Sequence, residues 1–141
     1  MADVPLFPIW PRPIRQLLRP LGISADAMST QQRFLEVIAR NIANAETTRT
    51  PEGGPYRREI ATTGADPTTG APSSGVITDT RPGRKIYDPG HPDADKDGFV
   101  EYPNVDLNTE LVDLMIARRM FEANATVFQA AKNMLRRALE I

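Results

Sequence analysis

Apolar residues recur every seven positions along the last third of the chain. One series consists of large apolar residues: Leu107, Leu114, Phe121, Phe128 and Leu135. A second series lies one position earlier in the repeat: Met120, Val127, Met134 and Ile141. Because a sustained seven-residue apolar repeat is typical of coiled-coil helices, the spacing predicts a helix over 107–141 with a broad apolar stripe. At ~1.5 Å per residue this helix would be roughly 50 Å long.

The residues around this segment also favour a helix. Pro103 followed by Asp106 supplies a stop and an N-cap. Negative charge follows in the first turns at Glu110, and positive charge lies near the end at Arg136, as the helix dipole favours. Asn124 lies on the side of the small residues of the repeat, where a polar side chain can fix the register of packed helices or face solvent.

A shorter apolar pattern lies in the first third of the chain. Phe34, Ile38 and Ile42 are four residues apart, which places them on one face of a helix. Ser24 is a candidate N-cap, and we predict a helix over 23–46. This helix has only about half the length of the C-terminal one, so it would leave part of the apolar stripe uncovered.

The asparagines that end this first helix, Asn41 and Asn44, would satisfy its last carbonyls or bridge to a neighbour. The uncovered part of the stripe could be covered by the middle of the chain or by other subunits, and the length of the stripe favours other subunits. The predicted core and assembly interface is therefore formed by Phe34, Ile38, Asn41, Ile42, Asn44, Leu107, Leu111, Leu114, Met120, Phe121, Asn124, Val127, Phe128, Met134 and Leu135.

Proline and glycine divide the 141 residues into two helical arms and a middle. All 13 prolines lie in 1–20 or 51–103, and eight of the nine glycines lie between Gly53 and Gly98. Because both residues break helices, the expected division is a proline-rich segment (1–22), a helix (23–46), a β/loop region (47–103) and a helix (104–141). Short strands are expected at 56–60, 76–78 and 84–87, with a loop over 61–75.

The expected fold is therefore mainly α. The N- and C-terminal helices pack as an antiparallel coiled coil and form one discontinuous core domain, with a small irregular β-containing region between them. Residues 1–20 are expected to form either a frayed or extended tail or a docked peptide.

The overall composition excludes several functions. Without cysteine there is no disulfide framework, thiol nucleophile or zinc ribbon. A net charge of −1 argues against a nucleic-acid binder, and the lack of an 18-residue apolar run argues against membrane insertion. The N-terminus lacks the basic start and apolar core of a cleavable signal peptide.

One acidic segment has the spacing of a metal site. Asp93, Asp95 and Asp97 followed by Gly98 match the first half of an EF-hand loop, although Asn104 stands where a bidentate glutamate is expected. A calcium-binding module is thus one alternative, and a solvated acidic turn is the preferred interpretation. A hydrolase using His91 is a second alternative, but this histidine lies in a turn and no nucleophile motif accompanies it. We expect no catalytic residues, no metal and no cofactor.

Three stretches of the chain resemble the FlgC family of flagellar basal-body rod proteins. The first, within 37–58, contains N-I-A-N-A and then T-R-T-P-E-G-G-P-Y-R-R. The second, within 87–105, begins Y-D-P-G-H-P-D-A-D, and the third, in the C-terminal helix, contains E-L-V-D, E-A-N and V-F-Q-A-A-K. Together they cover about 80 residues in the same order as in the family.

This resemblance implies a non-enzymatic structural subunit of the proximal rod, the periplasmic shaft of the flagellar basal body. It implies helices packed around a central channel, torque transmission, and contacts with other copies and other rod proteins. It also implies passage through the flagellar type III export apparatus without a cleaved signal peptide. Residues 1–20 look longer than the family's N-terminal lead, and 61–75 look poorer in strand-forming residues than the family's middle region.

Overall fold

The computed structural model describes residues 12–65 and 72–140, with side chains throughout these ranges except at 12–18, 65, 72 and 73. Two long helices, α1 (Arg12–Ala43) and α2 (Leu107–Leu139), flank a middle region with four short strands. This arrangement agrees with the predicted mainly α fold. Residues 1–11 of the proline-rich segment, 66–71 of the expected loop and Ile141 lie outside the described residues.

The two helices lie side by side and antiparallel. The end of α1 meets the start of α2, where Asn41 donates a hydrogen bond to Glu110. Further from this junction, Phe34 of α1 and Met120 of α2 line the same groove. The buried residues of α2 are Glu110, Ala117 and Ala131, which are separated by multiples of seven. One narrow row of α2 therefore faces α1.

Helix α1 corrects the predicted start of the first arm. It begins at Arg12 rather than at residue 23, continues through Pro20, and holds Ser24 as a buried interior residue instead of an N-cap. Pro20 is exposed, and at an exposed position water can replace the amide that proline lacks. The helix would still have to offset the cost of a proline in its interior.

The predicted difference in helix length is therefore wrong. Helix α1 has 32 residues and α2 has 33. Apolar residues of α2 nevertheless stay exposed, because a single partner helix covers the row facing it and leaves the adjacent row bare. The stripe is uncovered along one flank rather than at one end.

The N-cap of α2 is confirmed at Asp106. Its carboxylate accepts hydrogen bonds from the backbone amide of Asn108 at 3.1 Å and from the Thr109 hydroxyl at 2.8 Å. These two bonds lower the pKa of Asp106, with the Thr109 bond as the larger cause. The cap fixes where α2 begins and so places Glu110 one turn inside the helix.

The middle region forms two separate antiparallel sheets of two strands. Strand β1 (Glu59–Ala65) pairs with β2 (Pro72–Thr78), and β3 (Lys85–Tyr87) pairs with β4 (Phe99–Glu101). The expected loop over 61–75 is thus largely wrong, since much of it belongs to the first hairpin. Strand β4 was not predicted. Both differences arise because ladder hydrogen bonds use the backbone and do not require apolar side chains.

The buried apolar core is small and lies mainly where the helices meet. The buried apolar residues are Val37, Ile38 and Ala45 of the first arm, Ala117 and Ala131 of α2, and Val100 in strand β4. Among the described residues, neither helix is apolar enough over a sufficient length to cross a membrane.

Candidate functional site

A polar cluster is buried where the end of α1, the start of β1 and the start of α2 meet. We call it the junction cluster; its members are Asn41, Tyr56, Arg58, Glu59 and Glu110. Asn41 is 1% exposed and Glu110 is fully buried. Burial of polar groups is costly unless each finds a partner, and no buried side-chain nitrogen or oxygen in the described residues lacks one.

Asn41 is the centre of the junction cluster because it uses all of its hydrogen-bonding capacity. Its Oδ1 accepts from the Tyr56 hydroxyl at 3.0 Å and from the Glu59 amide at 2.9 Å. Its Nδ2 donates to the Glu59 carbonyl at 2.8 Å and to Glu110 Oε2 at 3.2 Å. One side chain at the end of α1 thus holds both the first residue of β1 and the first turn of α2.

Arg58 compensates the buried charge of Glu110. Its Nε donates to Glu110 Oε1 at 2.5 Å, and its terminal nitrogen lies 3.5 Å from Asp113 Oδ2. Glu110 and Asp113 are three residues apart and share one face of α2, so a single guanidinium can reach both. The paired charges orient α2 against the strand region.

Two further contacts support the strand end of the cluster. Arg40 forms an ion pair with Glu59 at 2.8 Å. The pKa of the Tyr56 hydroxyl is raised, first by burial and then by the negative charge of Glu59. A protonated Tyr56 is what the bond to Asn41 Oδ1 requires, since the phenol must donate.

Asn104 links the backbone of Arg58 to the backbone of Asp79. Asn104 Oδ1 accepts from the Arg58 amide at 2.8 Å, and its Nδ2 donates to the Asp79 carbonyl at 3.2 Å. Asp79 in turn donates its amide to the Arg58 carbonyl at 2.8 Å. Asn104, which stands where an EF-hand would have its bidentate glutamate, is thus a structural bridge.

The carboxylates of the acidic segment point to separate partners within the protein. Asp93 accepts from the Thr48 hydroxyl at 2.8 Å and lies 3.4 Å from Arg49. Asp95 accepts from the amides of Asp97 and Phe99, which closes the turn before β4. Gly98 occupies a positive φ of 81° in that turn, where a Cβ would meet the Tyr87 ring at 2.9 Å. Within the described residues no group of three or more metal-ligating side chains converges.

His91 also has a local structural contact. Its Nδ1 accepts a hydrogen bond from the Asp93 amide at 3.1 Å. This bond stabilises the turn in which Asp93 accepts a hydrogen bond from Thr48. The described role of His91 is therefore structural.

The predicted interface residues fall into three groups by exposure. In α1, Ile38 and Asn41 are buried and Phe34 and Ile42 are half-buried; Asn44, directly after the helix, is also half-buried and donates to the Arg40 carbonyl. The half-buried residues of α2 are Asn124, which lies in the row that faces α1, and four that flank this row: Leu114, Phe121, Phe128 and Leu135. The exposed ones are Leu107, Leu111, Met120, Val127 and Met134.

Sequence reasoning did not identify the junction cluster as a site. It treated Glu110 as a charge that suits the helix dipole and left Tyr56 and Arg58 without a role. One signal was available, since Glu110 stands seven residues before Ala117, in the row that faces α1. A charged residue in a buried row requires a partner of opposite charge.

Acid is expected to remove the stabilising contribution of the contact between Asp79 and Arg81. Hydrogen bonds from the Arg81 side chain, and then from its amide, lower the pKa of Asp79 to about 2. A depressed folded-state pKa stabilises the protein above the unfolded value of about 4, and this contribution is lost as the pH falls toward 2. The stability difference between the parent and Asp79→Asn should therefore be constant above about pH 5 and shrink below pH 4. Urea denaturation between pH 2 and 7 measures this, and a difference that does not change with pH would contradict it.

Two family models match the parts of the chain that contain most of α1 and all of α2. Residues 21–49 match the family described as flagella basal body rod protein, and residues 96–141 match the family described as flagellar basal body rod FlgEFG protein C-terminal. The helices and the segments that enter and leave them thus define a flagellar basal-body rod protein.

Curated relatives give a narrower assignment. The chain is 37% identical to the flagellar basal-body rod protein FlgC of Borreliella burgdorferi, over 89% of this chain and 97% of the relative. It is 35% identical to FlgC of Salmonella typhimurium over the same shares, and 34% identical to FlgC of Bacillus subtilis over 86% and 95%. The chain belongs to the FlgC family of flagellar basal-body rod proteins.

Proposed function

We propose that this chain is a non-enzymatic structural subunit of the flagellar basal-body rod. Membership of the FlgC family carries the proposal. The exposed row of α2 supports it, since Met120, Val127 and Met134 are about half exposed in the single chain. Apolar residues repeated along one flank of a long helix are typical of a surface that is covered on assembly.

In this proposal α1 and α2 form a coiled-coil core domain that packs against other copies and other rod proteins. The junction cluster fixes the two helices relative to each other and to the β1–β2 hairpin. Subunits related by repeated head-to-tail contacts that do not close form a helical rod. Such a rod surrounds the export channel and transmits torque in the proximal part of the basal body.

The proposed location is the periplasmic rod, which the chain reaches through the flagellar type III export apparatus without a cleaved signal peptide. The family resemblance supports this location. The internal contacts of Asp93 and Asp95 leave the calcium-binding alternative without a supporting observation.

The exposed row of α2 provides the test. In a motile strain that depends on this chain, Val127→Asp is expected to abolish motility and to reduce the chain in purified basal bodies at least tenfold. Burying an unpaired carboxylate between subunits is costly, whereas at the exposed position in the monomer the change should stay within about 0.5 kcal/mol.

Gln129→Asp is the matched control, since it adds the same charge to an exposed polar position of α2. It should leave motility and incorporation near the parent level. Normal incorporation of Val127→Asp would argue against this row as an assembly surface. Absence of the parent chain from basal bodies would overturn the proposed function itself.

A further inference from the structure

Each of the two sheets has one strand whose outer edge is capped by a side chain. In an antiparallel pair, alternate residues turn their backbone N–H and C=O groups away from the partner strand. The outward amide and carbonyl of Glu59 in β1 both bond to the Asn41 side-chain amide, at 2.9 and 2.8 Å, and β1 continues in a cleft beside α1. In β4, the outward amide of Phe99 donates to Asp95 Oδ1, and its carbonyl accepts from the Asp95 amide.

The outer edge of β2 is open. The Asp79 amide donates to the Arg58 carbonyl across the first hairpin, and the alternation from this pair turns the N–H and C=O groups of Val76 and Thr78 outward. No hydrogen bond between described residues uses these outward groups. Val76 and Ile77 are 50% and 54% exposed. An open edge of exposed β-branched residues is a template for pairing with another strand.

The outer edge of β3 is open in the same way. The Tyr102 amide donates to the Arg84 carbonyl, so Lys85 and Tyr87 turn their backbone groups outward. Within the part of the chain that the structure describes, no hydrogen bond uses these groups either. Tyr87 is 64% exposed. The protein therefore has one open edge in each sheet.

One chain does not pair its own two open edges, because β2 and β3 lie in separate sheets. The link between these strands is fixed at both ends. The Asp79 carbonyl accepts from Asn104 Nδ2 at 3.2 Å, and Gly83 packs so closely on Tyr102 that a Cβ would overlap the Tyr102 carbonyl. A strand that pairs with either open edge must therefore come from another molecule.

The open edges of two copies match in one antiparallel register. It places Val76 of β2 opposite Tyr87 of β3, and Thr78 opposite Lys85. Outward backbone groups then meet outward backbone groups at both pairs, and each pair can exchange two hydrogen bonds. The charge of Lys85 faces a neutral side chain. The edges thus match in hydrogen-bonding pattern and bring no like charges together.

Neighbouring registers fit less well. A shift by one residue sets outward groups against inward ones. A shift by two residues in one direction places Pro89 opposite Val76, and proline has no N–H to donate. The same shift in the other direction sets the charged Arg84 opposite Ile77. Only the register that pairs Val76 with Tyr87 avoids all three faults.

In this register the apolar side chains continue across all four strands of the combined sheet. One face carries a row of Ile60 and Ile77 from the first copy, then Ile86 and Val100 from the second. The other face carries a row of Ala61 and Val76, then Tyr87 and Phe99. Cross-strand pairs of aromatic and β-branched residues stabilise a sheet, and an isolated two-stranded hairpin is only marginally stable.

We propose that β2 of one copy pairs antiparallel with β3 of a second copy, with Ile77 opposite Ile86. This inference deepens the proposed function and rests on it, because a rod requires contacts that extend. Pairing of β2 with β2, or of β3 with β3, closes a two-fold dimer. Pairing of β2 with β3 uses two different edges, so each copy keeps one edge for a further neighbour.

Cysteine cross-linking tests the register, since the chain has no cysteine of its own. Ile77→Cys and Ile86→Cys chains with tags of different length are produced together in a motile strain and oxidised in purified basal bodies. Opposite residues of a non-hydrogen-bonded pair have Cα atoms about 4.5 Å apart, which permits a disulfide. The heterodimer should exceed either homodimer at least tenfold. Ile77→Cys with Tyr87→Cys is the control and should cross-link at least tenfold less, because these side chains lie on opposite faces.

Proline substitution tests the backbone bonds. Val76→Pro removes an outward N–H and leaves the pairing of β2 with β1 intact, as proline does on an edge strand. Introduced into the Ile77→Cys chain, it should reduce the cross-link at least tenfold, because a carbonyl of the second copy loses its donor. Thr63→Pro is the matched control, since it removes an outward N–H from the other edge of the same hairpin. It should leave the cross-link within twofold, and circular dichroism checks that both chains stay folded.

Three results would overturn the strand pairing. They are homodimers as abundant as the heterodimer, equal cross-linking of Tyr87→Cys and Ile86→Cys, and equal effects of the two prolines. Any of them, in basal bodies that contain the chain, would remove this contact and leave the rod function standing. Absence of the parent chain from basal bodies would instead overturn the rod function.

Discussion

Replacing Glu110 by alanine is expected to destabilise the protein by about 3 kcal/mol. The substitution removes a fully buried carboxylate and leaves Arg58, whose side chain is 22% exposed, without its closest partner. Breaking a buried pair by removing one member costs about 3–5 kcal/mol, and the partial exposure of Arg58 favours the lower end. Urea denaturation followed by circular dichroism measures the change.

The matched control is Glu122→Ala on the same helix. Glu122 pairs with Arg118 at 3.2 Å, but the two side chains are 60% and 76% exposed. Surface pairs contribute about 0–1 kcal/mol, so this variant should unfold close to the parent. Equal effects of the two substitutions would show that the Arg58–Glu110 pair has no special role in the junction cluster.

Replacing Asn41 by aspartate is expected to destabilise the protein by a similar amount, about 3 kcal/mol at pH 7. The new carboxylate keeps the bonds from Tyr56 and from the Glu59 amide but loses both donors. It also places a second negative charge where Asn41 Nδ2 now lies 3.2 Å from Glu110. Aspartate has the same side-chain shape as asparagine, so the effect isolates the lost donors and the added charge.

The pH dependence of Asn41→Asp has a defined sign. Two adjacent carboxyl groups cannot both ionise easily, so the folded-state pKa of the pair is raised above the unfolded values. The deficit relative to the parent should therefore be small near pH 4 and grow as the pH rises. Asn44→Asp is the control, because Asn44 makes its described side-chain contacts only within the end of α1 and with Thr47. A deficit for Asn41→Asp that stays the same from pH 4 to 7 would contradict this account.

The local features of the helices could be predicted from the sequence. The N-cap at Asp106 and the apolar repeat that follows it predicted the start of α2 correctly. Both signals come from residues that are close together in the sequence. The start of α1 could not be placed in this way. A proline usually ends a helix, and the continuation of α1 through Pro20 depends on its exposed position and on packing against α2.

The junction cluster could not be predicted because its bonds connect distant parts of the chain. Asn41 bonds to Glu59 across 18 residues and to Glu110 across 69. Spacing along the sequence shows that Asn41 ends a helix, but it does not show which backbone atoms lie opposite. The resemblance to the FlgC family included Asn41, Tyr56, Arg58 and Glu110 without giving them contacts.

The same two separations set an order of assembly within one chain. The entropy of closing a loop grows with the logarithm of its length, about 2.6 kcal/mol for 18 residues and about 3.7 kcal/mol for 69, before a shared constant. Asn41 should therefore capture Glu59 before it captures Glu110, and α2 should dock last. If the chain is synthesised or delivered N-terminus first, about four fifths of its length must be free before Glu110 can bond to Asn41. Until then the hydrogen bond between Asn41 and Glu110 cannot form, and the two helices lack the contact that joins their ends.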